Sequence, residues 1–404
     1  LTLRICWSLV LLSALLLPVP PRVEDPVRVV WSDVAYLFGE TIHFTARFET
    51  EAIIESAALA YLSPGRPVQH LPFNFPETLE TRLALEKPRE HLQPFTTVYY
   101  WFEFDLADGQ SVTSPSFSFA YQDNRFDWEY KESPHVKVYW HDAERAFGEE
   151  ALRVARQGLS DLEDLIPLVP LETPLEIYIY REDQALQAVL PHAGGTWAVA
   201  YSLPEQGLAV VTVSPGAGAR LEMEREIPHE LAHLMLYQIN PHGYQHLPVW
   251  LVEGLATAAE TYPNSAYTSA LEEALTQKET IPLENLCTAL PRDPAHIELA
   301  YAESASFVRY LHNRYGTSGL RTLLGHYHDG KGCSQALTAA FGHSLDDLEE
   351  EWLATQPQIG GEETPAESKL GAAALLCGSI LLPLVIISSY IWFKMKRTQR
   401  KAIP

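Results

Sequence analysis

The chain has 404 residues, 47% of them hydrophobic, and a formal charge of -23, enough apolar content to build a sizeable core in more than one unit and too much for a disordered chain. Residues 22 to 370 hold 23 of the 29 basic and all 52 acidic side chains, for a net -29. A surface so acidic repels phosphate backbones, which excludes nucleic acid as a partner class and leaves neutral or basic partners.

At the start, Ile5 to Leu17 form a short apolar run behind Arg4 that ends in Pro18-Val19-Pro20-Pro21. This pattern predicts a signal peptide over 1–21, with a second membrane anchor as the alternative. From Val27 to Tyr121 apolar residues alternate, as in Thr41 to Phe48 and Thr97 to Phe104, and turn signals such as Ser63-Pro64-Gly65 and Ala107-Asp108-Gly109 divide the runs. Period two means strands with one buried face, and an all-β, Ig-like sandwich over 27–122 is expected. No cluster of reactive side chains stands out there, so scaffold or binding surface is its expected role.

After Asp127-Trp128 and Pro134 the pattern changes. His135 to Trp140 predicts a strand, Asp142 to Leu165 a helix, Leu175 to Tyr180 a strand, Glu182 to Leu190 a short helix, and Trp197 to Ser202 and Leu208 to Val213 two further strands. Helical spacing then dominates from Arg220 to Thr355, which together describe an α+β domain over 135–357. Residues 358–369, with Gly360, Gly361 and Pro365, suit a stalk. Leu370 to Phe393 is a run of 24 residues without a charge, long enough to predict a transmembrane helix. The basic tail over 394–404 should then stay cytoplasmic, which places the chain at the cell membrane as a single-pass protein with residues 22 to 369 extracytoplasmic. In that compartment Cys287 and Cys333 fit either a disulfide or two buried thiols.

Chemistry concentrates in His229-Glu230-Leu231-Ala232-His233. Histidines four apart on a helix share a face and can point at one ion, and Zn2+ suits such an imidazole pair. Pro228 is expected near the start of that helix. Twenty residues downstream, Val249-Trp250-Leu251-Val252-Glu253-Gly254-Leu255-Ala256 sets a single carboxylate among apolar residues. A buried carboxylate needs a partner, and the two histidines make Glu253 the third candidate ligand. Three protein ligands leave a fourth position for water, as in catalytic zinc sites.

HExxH followed by W-L-x-E-G-x-A resembles the gluzincin metallopeptidases, specifically their peptidase MA-like members. Ala300 to Leu311, Tyr315-Gly316, Leu320 to Leu324 and Glu350 to Leu353 are similar to the helical tail of that family, and Tyr121 to Trp128 looks like a joint between an Ig-like domain and such a peptidase. The resemblance implies one zinc ion per chain on His229, His233 and Glu253, Glu230 as general base, peptides or proteins as substrate, and a tyrosine or histidine as donor to the oxyanion. Tyr301 is the first candidate for that donor, with Tyr262, Tyr267, His242 and His246 also in reach. It further suggests Leu208 to Val213 as the sheet edge on which extended substrate pairs, although the same pattern equally fits an interior strand. Two departures matter. Thr257 stands where related enzymes have an acid four residues after the glutamate ligand, so the surroundings of the ligands must differ, and no acidic signature for a substrate amino terminus is present, so an aminopeptidase is not supported. The rival reading is a cell-surface interaction protein with a non-catalytic peptidase-like scaffold. The histidine pairs His326/His328 and His242/His246 lack a third ligand and are expected in surface loops.

Overall fold

The computed structural model describes residues 25–356 except 167–169, 172, 191–199 and 263. The first strands are β1 (Val27–Ala35), β2 (Ile42–Thr50), β3 (Ile54–Leu62), β4 (Gln69–Phe73) and β5 (Glu80–Leu85), followed by the single turn α1 (Pro88–His91), then β6 (Thr96–Leu106), β7 (Ser111–Thr113) and β8 (Phe117–Tyr121). They form two antiparallel sheets, ordered β1-β2-β5 and β4-β3-β6-β7, with β8 also on β6. Alternation along β6 shows why. Val98, Tyr100, Phe102 and Phe104 point inward, and Phe44 and Phe48 of β2 meet Tyr100 and Phe102 edge to face at 5.1 and 5.2 Å. Aromatic pairs in this geometry add to the burial that holds the sheets face to face.

The second half opens with β9 (Glu129–Glu132), β10 (Val136–Trp140), α2 (Arg145–Leu165), β11 (Leu175–Tyr180), α3 (Asp183–Gln187), β12 (Ala200–Leu203) and β13 (Leu208–Thr212). Its sheet runs β12-β13-β11-β10-β9, parallel through β13, β11 and β10 with an antiparallel strand at each edge. Strands of a parallel centre are covered on both faces and read as continuous apolar runs. In β11, Leu175, Ile177 and Ile179 pack against the helices, whereas Tyr178 and Tyr180 join the core of the first two sheets; Ala209 and Val211 against Leu208 and Val210 divide β13 the same way. The N-terminal sheets therefore cover the face of the second half's sheet that the long helices leave open.

Helices follow: α4 (Ala219–Ile239), α5 (Val249–Ala259), α6 (Ser265–Gln277), α7 (Pro294–His328), α8 (Cys333–Phe341) and α9 (Leu345–Thr355). Trp250, Leu251, Leu255 and Ala256 of α5 are fully buried between α4 and α7. Cys287 and Cys333 are joined in a disulfide, and the indole Nε1 of Trp250 lies 3.3 Å from the Cys333 sulfur. The bond thus ties the loop after α6 and the start of α8 to the buried side of α5.

Three expectations change here. No helix among the described residues is long and apolar enough to cross a membrane, which overturns the architecture that closes on a transmembrane helix. The longest one, α7, carries Glu298, Glu303, Arg309, Arg314 and Arg321 along its length and breaks at Gly316, where φ is 67°. The stretches read as signal peptide (1–21), stalk (358–369), apolar run (370–393) and basic tail (394–404) lie outside the described residues. Second, Leu208 to Thr212 is not the sheet edge, because Ala200–Leu203 pairs outside it. Third, α4 starts at Ala219, so Pro228 sits inside the helix rather than at its start.

Candidate active site

Pro228 has no N–H to give to the carbonyl of Glu224, four residues back. That carbonyl instead accepts from the backbone N–H groups of Thr261 and Tyr262, at 2.9 and 3.3 Å. The break in the helical ladder, one residue before His229, thereby fastens the segment just past α5 to the middle of α4. Glu260 lies at this junction and turns its carboxylate toward His229.

Beyond Pro228 the two histidines stand one turn apart with ring centroids 5.0 Å apart. Glu253 of α5 reaches both: its Oε2 lies 3.6 Å from Nε2 of His229 and 3.7 Å from Nε2 of His233. One atom from each of the three fits within a 4.8 Å span, and this is the one such group of His, Cys, Asp or Glu among the described residues. Ligand bonds of about 2.0–2.1 Å in a tetrahedral arrangement put donor atoms roughly 3.4 Å apart, close to the two distances from Glu253, so the donor set suits a zinc ion. His326/His328 and His242/His246 form no such group; His328 instead bonds Asn240 through Nδ1 at 2.8 Å.

The rear nitrogens of both histidines are occupied. Nδ1 of His229 donates to Glu260 Oε1 at 3.1 Å, and Nδ1 of His233 faces the Tyr244 hydroxyl at 3.4 Å. Bonding at Nδ1 fixes each ring plane and directs Nε2 toward the place a cation would take. Burial disfavours a charged His229, but hydrogen bonds to Glu253 and Glu260 outweigh it and raise its pKa well above the ordinary value. Burial lowers His233 to about 4, so its imidazole is neutral near pH 7. Burial pushes Glu253 up, but its interactions with His233 and His229, the hydrogen bond from His229 among them, outweigh that and lower its pKa. Binding a cation here would release the proton that His229 holds.

The Glu230 carboxyl is buried near Ser202 of β12, and its pKa is raised to about 8, by burial first and then by Glu226 and Glu253. On the other side, Tyr301 of α7 meets the His229 ring at 6.1 Å, and Tyr267 stacks on it at 5.7 Å. Burial, and then Glu253, raises the Tyr301 phenol, which keeps it a hydrogen-bond donor at neutral pH. The structure so brings His229, Glu230, His233, Glu253 and Tyr301 together. Tyr267 is behind Tyr301, and His242, His246 and Tyr262 are exposed.

A family model of the Peptidase MA superfamily matches residues 154–356, half of the chain. The chain belongs to the Peptidase MA superfamily. Membership carries a metallopeptidase-like function, and zinc dependence is typical of the superfamily. The match runs from within α2 to the end of α9 and does not reach the N-terminal sheets. No curated protein matches the sequence. Among solved structures, one titled "Myokine structure" is 16% identical, covers 24% of this chain and 99% of its own, with a TM-score of 0.20. A purple acid phosphatase from yellow lupin seeds is 12% identical over 51% of this chain and 41% of its own, TM-score 0.21. A polysaccharide deacetylase of Bacillus cereus is 8% identical over 50% and 66%, TM-score 0.20. Likeness at these values carries no inference about this member of the superfamily.

Two site residues of this Peptidase MA chain escaped the sequence. Glu260 lies seven positions after Glu253, two helical turns on, and takes the place that Thr257 cannot fill. The spacing was readable, but a glutamate closing a helix usually faces solvent, and only the α4 contact turns it inward. Tyr244 opens a single 3-10 turn, Tyr244–His246, too short to show a periodicity.

Proposed function

We propose that this chain is a zinc metallopeptidase that hydrolyses peptide bonds, working on the extracytoplasmic side. The observation that carries the reading is the convergence of His229 Nε2, His233 Nε2 and Glu253 Oε2 with Glu230 beside them, in a chain of the Peptidase MA superfamily. His229, His233 and Glu253 would hold the ion. Zinc bound there supplies a Lewis acid and lowers the pKa of water from 15.7 toward about 7.

Glu230 takes the proton from the attacking water and returns it to the leaving amine, a shuttle suited to a carboxyl whose pKa is lifted toward neutrality. Tyr301 donates to the developing oxyanion. Among the described residues β12 has no strand on its outer side, so an extended peptide pairing there would run past Ser202 and Glu230. The Cys287–Cys333 disulfide supports an oxidising compartment. A purely structural scaffold would have no use for Glu230, which is buried at a cost and bonded to no ligand residue.

Glu230→Gln tests this. The variant should keep one zinc per chain by elemental analysis and lose peptide cleavage by about 10²–10⁴-fold. A folded wild-type chain without bound zinc, or undiminished cleavage in the variant, would defeat the reading.

A further inference from the structure

Val98, Tyr100, Phe102 and Phe104 take the inner face of β6, so Tyr99, Trp101 and Glu103 take the outer one. Opposite Trp101 stands Ala60 of β3, with His70 of β4 beyond it. Ala60 is wholly buried although it lies outside the core between the two sheets. A methyl on an outer face is covered when a neighbouring side chain lies down on it, and the large side chains directly beside Ala60 in the register are those of Trp101 and His70. Hydrogen bonding holds the indole in place: its Nε1 donates to Glu103 Oε1 at 2.9 Å, and Glu103 Oε2 meets His70 Nε2 at 3.3 Å. The ring thus rests against the sheet and stays partly exposed on its other side.

Tyr99, the next outward ring along the strand, is 47% exposed. Two residues of a strand advance about 6.6–6.8 Å, so the two rings form a short platform. Its rim is polar: Ser118 of β8 pairs with Tyr99 and Thr113 of β7 with Glu103, and both are exposed. Exposed apolar surface rimmed by polar groups marks a place of binding. A flat platform edged by hydroxyls and a carboxylate suits a ligand with an apolar face and a hydroxyl edge, and a pyranose has both, its C–H bonds on the ring faces and its hydroxyls around the rim. A cationic peptide would meet a carboxylate already engaged by an indole N–H and an imidazole. An acidic glycan would meet Glu103 and Asp105 on a body of net charge -29.

We propose that this outer face of the N-terminal sheets binds a neutral oligosaccharide, its sugar rings stacked on Trp101 and Tyr99 and its hydroxyls bonded to Glu103, Ser118 and Thr113. The site shares no residue with the metal group, so it stands or falls apart from the peptidase reading.

Calorimetry on the full chain tests this, with cellohexaose, laminarihexaose, chitohexaose and mannohexaose as neutral probes and oligogalacturonate and hexalysine as charged ones. At least one neutral probe should bind saturably, and Trp101→Ala should weaken that binding by about 10–100-fold, the loss of one buried aromatic contact. Trp101→Phe, which keeps a ring for stacking, should recover part of the loss. Tyr99→Ala should weaken binding with little change in melting temperature, because the ring stands largely in water. These two variants keep the test decisive if Trp101→Ala fails to fold. The charged probes should bind at least about tenfold more weakly than the best neutral one, a difference of about 1.4 kcal/mol. Absence of saturable binding by every neutral probe, or binding that the Trp101 and Tyr99 variants leave unchanged, would overturn the proposal. So would hexalysine binding tighter than any sugar and lost in Trp101→Ala, which would make the face a dock for a basic protein.

Discussion

At the scale of single residues, the site depends on side chains that no metal touches. Glu260 sets the tautomer and ring plane of His229, so Glu260→Gln, which keeps the size and loses the charge, should lower zinc affinity by about 10–100-fold, measured by competition with a chelator, with little change in the fold. Glu303 shows a different use of burial. It is wholly buried on α7, and both its oxygens accept from the Ile281 N–H at 3.1 Å. Burial, with Glu349 adding to it, raises its pKa to about 8 despite that hydrogen bond. The folded chain therefore holds this proton more tightly than the unfolded chain, whose glutamate titrates near about 4.3. The stabilisation is full below that value and is lost as pH rises toward 8, at up to about 1.4 kcal/mol per pH unit. Glu303→Gln should consequently unfold at a higher temperature than wild type at pH 8 and at nearly the same temperature at pH 4.5. A gap that does not shrink on acidification would show that Glu303 is held ionised.

At the scale of elements, the third candidate ligand is placed by how closely two helices approach. Gly254 follows Glu253, and a Cβ there would stand 2.5 Å from the backbone oxygen of Ser304 on α7. Backbone cannot move aside as a side chain can, so Gly254→Ala must push α5 from α7 and carry Glu253 with it. Overpacking of this kind costs typically about 1–3 kcal/mol. Gly254→Ala should lower the melting temperature and weaken zinc binding together, whereas Glu260→Gln lowers only the second. The W-L-x-E-G-x-A pattern thus describes packing as much as chemistry: Trp250 and Leu251 anchor the helix, Gly254 admits its neighbour, and Glu253 emerges on the one face left open. Pro228 acts in the same manner on α4, since the carbonyl it frees is the one that catches the segment carrying Glu260.

Over the whole molecule, the N-terminal sheets and the peptidase half share a buried seam. Asp123, 2% exposed, accepts from Arg125 and from the Tyr180 hydroxyl at 2.8 Å, while Arg89 donates to the carbonyls of Gln187 and Leu190, both at 3.2 Å. A linker between independent units would leave such groups in water. Much was nonetheless legible along the chain: the alternation of β6, the span of β11, the helical second half and the HExxH spacing follow from local rules of period and side-chain type. The ladder order was not, and Leu208 to Thr212 shows why. An all-apolar strand is equally consistent with an edge and an interior, and the pairing of Ala200–Leu203 outside it is set by tertiary contacts with α4. What the sequence by itself determined is which side chains can ligate, because one helical turn brings His229 and His233 to one face whatever surrounds them. Only the tertiary structure decided that Glu253 completes the group and that Glu260 rather than a residue at position 257 supports His229, since these contacts join segments that are distant in the chain and whose approach depends on packing.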